Sequence, residues 1–216
     1  MQAWLNNVYQ GYKTNRLRKK LKDQAYLFLF EPAIEDEYIC FDCETTGLNP
    51  KQDKIISLSA IKIKGNQVLT SQSLNLLIRQ DKKITAESIV VHQIRNQDVR
   101  EGGNKLLDEK EAITQFLHFI AGGTLVGYFL EFDVAMVNQV IKPWLGITLP
   151  NPKIEVSERY YQKVVRSQGY AKPLGHIDLR FETILKKLDI PNIGQHDAFS
   201  DALMTALIFV KLQRDS

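Results

Sequence analysis

Apolar positions along the chain change their period several times, and each change predicts a new element. Between Tyr38 and Leu48 they alternate as in a β-strand, with Ile39, Phe41 and Cys43 on one face. Asp42 and Glu44 occupy the other face, where apolar residues are expected, and the run then breaks at Thr45-Thr46-Gly47. A second β-rich run covers Lys54–Lys64, with Ile55, Ile56, Leu58, Ile61 and Ile63. Gly65-Asn66 is a hairpin signal, and Val68–Ile78 reads as a third strand. Three strands joined by short loops predict an antiparallel meander. Helical spacing follows at Glu109–Ile120 (Ala112, Ile113, Phe116, Leu117, Ile120), ended by Gly122-Gly123. Thr124–Gly127 is a short apolar strand and Phe132–Leu145 a further helix. Helices near Leu179–Leu188 and Asp197–Leu212 close the chain, separated by Pro191, Asn192 and Gly194. Thr85–Ser88 reads as a helix start, whereas Asn151–Lys172 is polar and matches neither period. A hairpin-led sheet followed by alternating strands and helices predicts an α/β domain with a mixed sheet.

The first 24 residues also show helical spacing, at Trp4, Leu5, Val8, Tyr9 and Tyr12, then at Leu17 and Leu21. Charge changes the picture here. The net charge is +3 over 216 residues, yet residues 1–30 alone carry Lys13, Arg16, Arg18, Lys19, Lys20 and Lys22 against Asp23. The remainder holds 22 basic and 24 acidic residues, so basic character is confined to this arm. Two readings stand: a solvated helix packing its Leu/Tyr stripe on the domain, or a contact with nucleic acid phosphates or an acidic partner. Glu31-Pro32 and Glu35-Asp36-Glu37 mark a linker. The expected organisation is therefore a basic arm and linker over 1–36 and one domain over 37–216, a size that suits a single core.

Cys40 and Cys43 form a C-x-x-C, a spacing used in redox and zinc sites. Residues three apart in a strand face opposite ways, and no second Cys pair completes a zinc set, so both read as buried strand thiols. Free thiols suit a reducing cytosol and predict a cytoplasmic protein. The apolar run Ala25–Phe30 is too short for a secretory signal, and nothing approaches the ~20 apolar residues of a membrane span.

Asp42 and Glu44 share a strand face, so they repel each other and lose hydration when buried unless a cation sits between them. A divalent metal would serve. Asp133 follows a short strand at a helix start, where a dipole-stabilised acid is the ordinary explanation. Asp201 shares its helical face with Ala198, Thr205 and Ile208, so a small or apolar face carries one carboxylate. His196 precedes that helix, where the loop can fold it toward Asp201. Each is unremarkable alone.

Taken in order, Phe41-Asp-Cys-Glu-Thr-Thr-Gly47, Asp133 and His196-x4-Asp201 resemble the DnaQ-like exonucleases. A histidine five residues before the last Asp resembles the DEDDh branch; the tyrosine branch places Tyr four before, where this chain has Asp197. The resemblance runs from about Tyr38 to Leu212. It implies a ribonuclease H-like five-stranded mixed sheet of order 3-2-1-4-5 flanked by helices. It also implies 3′→5′ hydrolysis of phosphodiester bonds, releasing nucleoside 5′-monophosphates, with two Mg²⁺ or Mn²⁺ ions. Asp42 would bridge both ions, Glu44 and Asp201 would complete one site, and Asp133 would hold the second. His196 would be the general base, a role suited to a group titrating near neutral pH. Substrate contacts would come from Thr45, Thr46, Gly47, Leu48 and Phe129. His92, in Ser88-Ile-Val-Val-His92-Gln-Ile, would add another; there the family has His-Gly, and a plain helix-end residue is the other reading.

The chain departs from the family at Tyr128-Phe129, where His-Asn is usual, and Asn151–His176 is longer than a minimal member needs. That segment interleaves Lys153, Arg159, Lys163, Arg166 and Lys172 with Tyr160, Tyr161 and Tyr170. Such a mixture suits a flexible single strand or an ordinary solvated loop. The expected substrate is single-stranded DNA at its 3′ end, in repair or proofreading, with a polymerase or repair partner reached through the arm. An RNA-trimming enzyme is the alternative within the class, since these ligands do not sense a 2′-hydroxyl. An inactive binding module is the alternative outside it, disfavoured because all five motif positions are filled.

Overall fold

Strand β1 (Glu37–Thr45) is one residue longer at each end than the alternation predicts, and it lies inside the sheet. The computed structural model describes residues 11–12, 14–80, 106–168, 176–194 and 197–214. β2 (Ile55–Lys64) and β3 (Gln67–Ile78) complete the antiparallel meander, with Asp42 opposite Ser59 and Glu44 opposite Ser57. β4 (Leu106–Leu107) adds two residues parallel to the outer edge of β3. Helix α1 (Glu109–Ile120) spans the predicted residues, its N-cap Asp108 accepting the Glu111 N–H at 2.7 Å.

β5 (Thr124–Gly127) pairs in parallel with β1 from Tyr38 to Cys40, and α2 (Leu130–Leu145) follows at once. β6 (Lys153–Glu155) extends the sheet beyond β5 and leads into α3 (Val156–Gln168). Helices α4 (Phe181–Lys187) and α5 (Ala198–Arg214) close the described chain. The six-stranded order is β4-β3-β2-β1-β5-β6. Leaving out the two-residue β4, this is the expected ribonuclease H-like order.

The sheet separates two cores. Ile39, Phe41 and Cys43 face the larger one with Ile113, Phe116 and Val137; the Phe41 and Phe116 rings lie 4.9 Å apart. Cys40 faces the other, among Val126, Ile184 and Phe209. The two thiols are therefore buried in opposite layers and both are free. The strands themselves are rich in β-branched residues, as Ile39, Ile55, Ile56, Ile61 and Ile63 show, because these fill a pleated strand buried on both faces.

The segment that matched neither period is thus β6 and α3. Tyr160 is buried in the second core and Arg159 lies over the Phe209 ring, so these two serve packing rather than a loop that stacks bases. Tyr170 and Lys172 lie outside the described residues. So do the expected helix over residues 1–10, the helix start at 85–88 and His92.

The arm does not continue as one helix to residue 24. It is helical at 14–20, breaks at Leu21, and re-forms as a 3-10 helix over Gln24–Phe30, capped by Asp23. Leu21, Tyr26 and Leu29 are buried in the larger core, and Tyr26 meets Trp144 edge-on at 5.0 Å. Lys22 donates its backbone N–H to Leu145 O at 3.0 Å and its Nζ to Pro143 O at 3.1 Å. Two of the last carbonyls of α2 are thereby satisfied, Pro143 O by a cation and Leu145 O by a backbone amide. Gly146 (φ 74°) ends that helix, and a Cβ there would come within 2.8 Å of Lys20 O. No helix among the described residues is long and apolar enough to cross a membrane.

Candidate active site

Asp42 and Glu44 project from β1 toward the layer that contains α5, and Asp201 meets them from the first turn of that helix. One carboxylate oxygen from each lies within 4.8 Å of the others. Asp201 is aimed by its own helix start. Asp197 accepts the Ser200 N–H at 3.0 Å and the Ser200 hydroxyl at 2.9 Å, capping α5 and setting where its first turn begins. Asp133 stands outside this group of three, buried (4 % exposed) in the first turn of α2. Its Oδ1 accepts the Cys43 N–H at 3.2 Å, which ties it to β1 between Asp42 and Glu44.

The electrostatics are those of crowded acids. Burial, then Asp201 and Asp197, push Glu44 up to about 7. Asp42 is raised well above the usual carboxylate range by burial first, then by Asp133, Glu44 and Asp201. Asp133 is raised by burial, against the pull of the Cys43 N–H. An all-oxygen set of mutually repelling carboxylates is what a hard divalent cation such as Mg²⁺ or Mn²⁺ binds. The donor chemistry fits that group.

The loop after β1 is built around Asp53. Its carboxylate accepts the Thr46 hydroxyl at 3.1 Å and the Asn49 N–H at 2.9 Å, and a Cβ on Gly47 would strike it at 2.6 Å. Gln139 of α2 pins the same loop by donating to Pro50 O at 2.9 Å. Thr45 and Thr46 are buried with their hydroxyls used inside the loop, Thr45 donating to Gly47 O at 2.7 Å, whereas Leu48 is open to solvent. Leu48 (87 % exposed) and Phe129 (69 % exposed) line one open groove of ≈ 770 Å³ with Leu130, Phe132 and Lys153. Phe129 holds a left-handed conformation (φ 53°) and supplies no side-chain cap to α2. Glu155 on β6 accepts the Leu130 N–H at 3.0 Å instead.

Sequence reasoning missed Asp53, Asp197 and Glu155. Asp197 followed by Ser200 was a readable cap signal. Asp53 acts within its own loop, on Thr46 and Asn49, and Glu155 acts across from β6 to the start of α2. His196 and His92 lie outside the described residues.

The sheet order and the acids of its central strand define a ribonuclease H-like α/β domain with a carboxylate site. A model of the RNase_T exonuclease family matches residues 39–209, and the chain belongs to this family of DnaQ-like 3′→5′ exonucleases. Among curated proteins it is 28 % identical over 185 residues to the PolC-type DNA polymerase III of Caldanaerobacter subterraneus subsp. tengcongensis, covering 84 % of this chain and 12 % of that protein. The same figures describe the PolC-type DNA polymerase III of Bacillus subtilis. The chain thus spans about an eighth of these relatives' length. Among solved structures, exonuclease I aligns with a TM-score of 0.68 at 17 % identity, covering 83 % of this chain and 41 % of that one. Cell-death related nuclease 4 aligns at 0.63 and 15 %, covering 83 % and 64 %. These likenesses show the fold.

Proposed function

We propose that the chain is a divalent-metal-dependent 3′→5′ exonuclease acting on single-stranded DNA and releasing nucleoside 5′-monophosphates. The observation that carries this reading is the convergence of Asp42, Glu44 and Asp201 within 4.8 Å, from two elements far apart in sequence. Names of relatives support DNA: the curated ones are DNA polymerases, and E. coli exonuclease I has been solved with a dT13 oligonucleotide.

Asp42, Glu44 and Asp201 would hold one Mg²⁺ or Mn²⁺, with Asp42 shared and Asp133 holding a second. Bound there, the ions supply charge neutralisation on the phosphate and a more acidic water. The protein's own residues do the rest. Gly47 and Leu48 hold the terminal sugar, and the apolar faces of Leu48 and Phe129 flank the end of the strand. His196 takes the proton from the attacking water, a role resting on its place five residues before Asp201 and on the family pattern. The 3′→5′ direction comes from the family.

The test is a panel of 3′-labelled DNA and RNA strands with Mg²⁺, with chelator, and with Asp42→Ala. Mg²⁺-dependent loss of the DNA label is expected, abolished in the other two arms. Full activity of Asp42→Ala overturns the site, and faster RNA cleavage moves the substrate to RNA. In His196→Ala, turnover should fall while Mg²⁺ still raises the melting temperature. Loss of both would make His196 part of the metal site instead of the base.

A further inference from the structure

We propose that the basic arm is the outer part of the substrate track. It holds the phosphates of a single strand whose 3′ end lies at the carboxylates, and this rests on the exonuclease reading above. The groove beside Leu48 and Phe129 does not end at α2. Glu131 and Lys153 line it and also line a second hollow of ≈ 460 Å³, whose far wall is Thr14 and Leu17 of the arm. The two hollows share these walls, and together their linings lead from Leu48 and Phe129 to the arm.

The arm is held against this furrow by fixed contacts. Leu21 is buried, Leu17 packs on the larger core, and Lys22 is bonded to the end of α2. The helical residues 14–20 precede that anchor, and Thr14 and Leu17 line the hollow that Glu131, in the first turn of α2, also lines. One helix thus positions both Asp133 and the arm.

Charge selects the occupant. Arg16, Arg18, Lys19 and Lys20 are all exposed on this short stretch, and no acid interrupts them. The chain beyond residue 30 is net negative, so the arm is where a polyanion is attracted. Within the groove Glu131, Glu155 and Glu158 are acidic, which leaves phosphate contact to Lys153 and the arm. Leu48, Phe129 and Phe132 offer apolar surface to bases. Apolar and aromatic surface near the end, with cations further along, is the division of labour of single-strand grooves.

The test compares strands of roughly three and roughly twenty nucleotides, long enough to leave the site and cross the arm. Binding of fluorescent single-stranded DNA is measured against salt in an Asp42→Asn background, with and without Arg16→Gln/Arg18→Gln/Lys19→Gln. Each lost phosphate contact removes about 0.7 from the slope of log affinity against log salt, so three remove about 2. The preference for the long strand should fall at least tenfold. Lys153→Gln should move the same preference in the same direction. An unchanged slope and preference in both variants overturns the track and leaves the arm to an acidic protein partner or to solvent. Cutting of the short labelled strand by the unaltered chain is scored separately. A changed slope without any cutting would overturn the placing of a 3′ end at the carboxylates, while an unchanged slope with normal cutting would overturn only the track.

Discussion

The backbone N–H of Cys43 donates to Oδ1 of Asp133 at 3.2 Å, joining the central strand to the first turn of α2. Pairing of β1 with β5 stops at Cys40, so this N–H lacks a ladder partner on that side and would otherwise be orphaned in the core. Asp133 therefore both spaces the strand from the helix and lends charge to the site. The two roles separate by substitution. Asp133→Asn keeps an acceptor oxygen, so its denaturation midpoint should equal or exceed that of the unaltered chain, with activity down on the order of 10³-fold. Asp133→Ala strands the N–H and should also lose about 1–3 kcal/mol of stability. Equal midpoints for the two variants would show that the bond contributes nothing.

The carboxylate cluster sets the sign of a pH dependence. Glu44 is pushed up to about 7 in the folded chain from an ordinary 4.5, and Asp42 and Asp133 are raised in the same direction. A raised folded pKa means that the folded state holds the proton more tightly. Its stabilising contribution is complete below the unfolded pKa and is lost as pH rises through the folded one. In chelator, the melting temperature should therefore climb as pH is lowered from about 8 to about 5. Asp178, held low by Arg180, acts below that window and does not oppose it. Mg²⁺ competes with the protons, so its stabilising effect should be larger at the alkaline end. A melting temperature that is flat or falls on acidification in chelator would contradict the crowded-acid geometry.

How much of this was readable beforehand follows from the range of each interaction. β1, β2, β3, α1 and β5 were readable because their apolar periods are local and strong. Asp42, Glu44 and Asp201 stood out because a carboxylate on an apolar face breaks the pattern. β6 and α3 were not readable, since α3 carries Glu158, Arg159, Lys163 and Arg166 and buries little beyond Val156 and Tyr160. The break of the arm at Leu21 was also hidden. It depends on Lys22 reaching the carbonyl end of α2 more than 100 residues away. Glu155 was missed because its partner Leu130 lies 25 residues away, and Asp53 because the loop it closes matches neither the strand nor the helix period.

Placing Cys40 and Cys43 in opposite layers has a chemical consequence. Burial comes first in raising both thiols well above their ordinary range, and nearby carboxylates add to it. Neither should react with a thiol reagent at neutral pH until the chain unfolds, and oxidants should form no bond between them. Two thiols titrating rapidly in the native chain would mean that the strand is open or differently paired.

The cap on α2 yields the last test. Glu155 Oε2 accepts the Leu130 N–H at 3.0 Å, while its Oε1 accepts the N–H and hydroxyl of Ser157 at 3.0 and 2.6 Å. Phe129 offers no side-chain oxygen to the helix, so a carboxylate from the neighbouring strand satisfies its first turn and favours the positive end of its dipole. Asp133 sits three residues after Leu130, and its aim depends on where that turn starts. Glu155→Ala should cost about 1–2 kcal/mol, in line with loss of a helix cap, and should lower kcat through a displaced Asp133. Glu155→Gln retains one acceptor for Leu130 and should recover most of the stability and part of kcat. Denaturant midpoints and steady-state kinetics of the two variants check this. A raised KM at constant kcat, with an unchanged midpoint, would instead make Glu155 a substrate contact in the groove that it also lines.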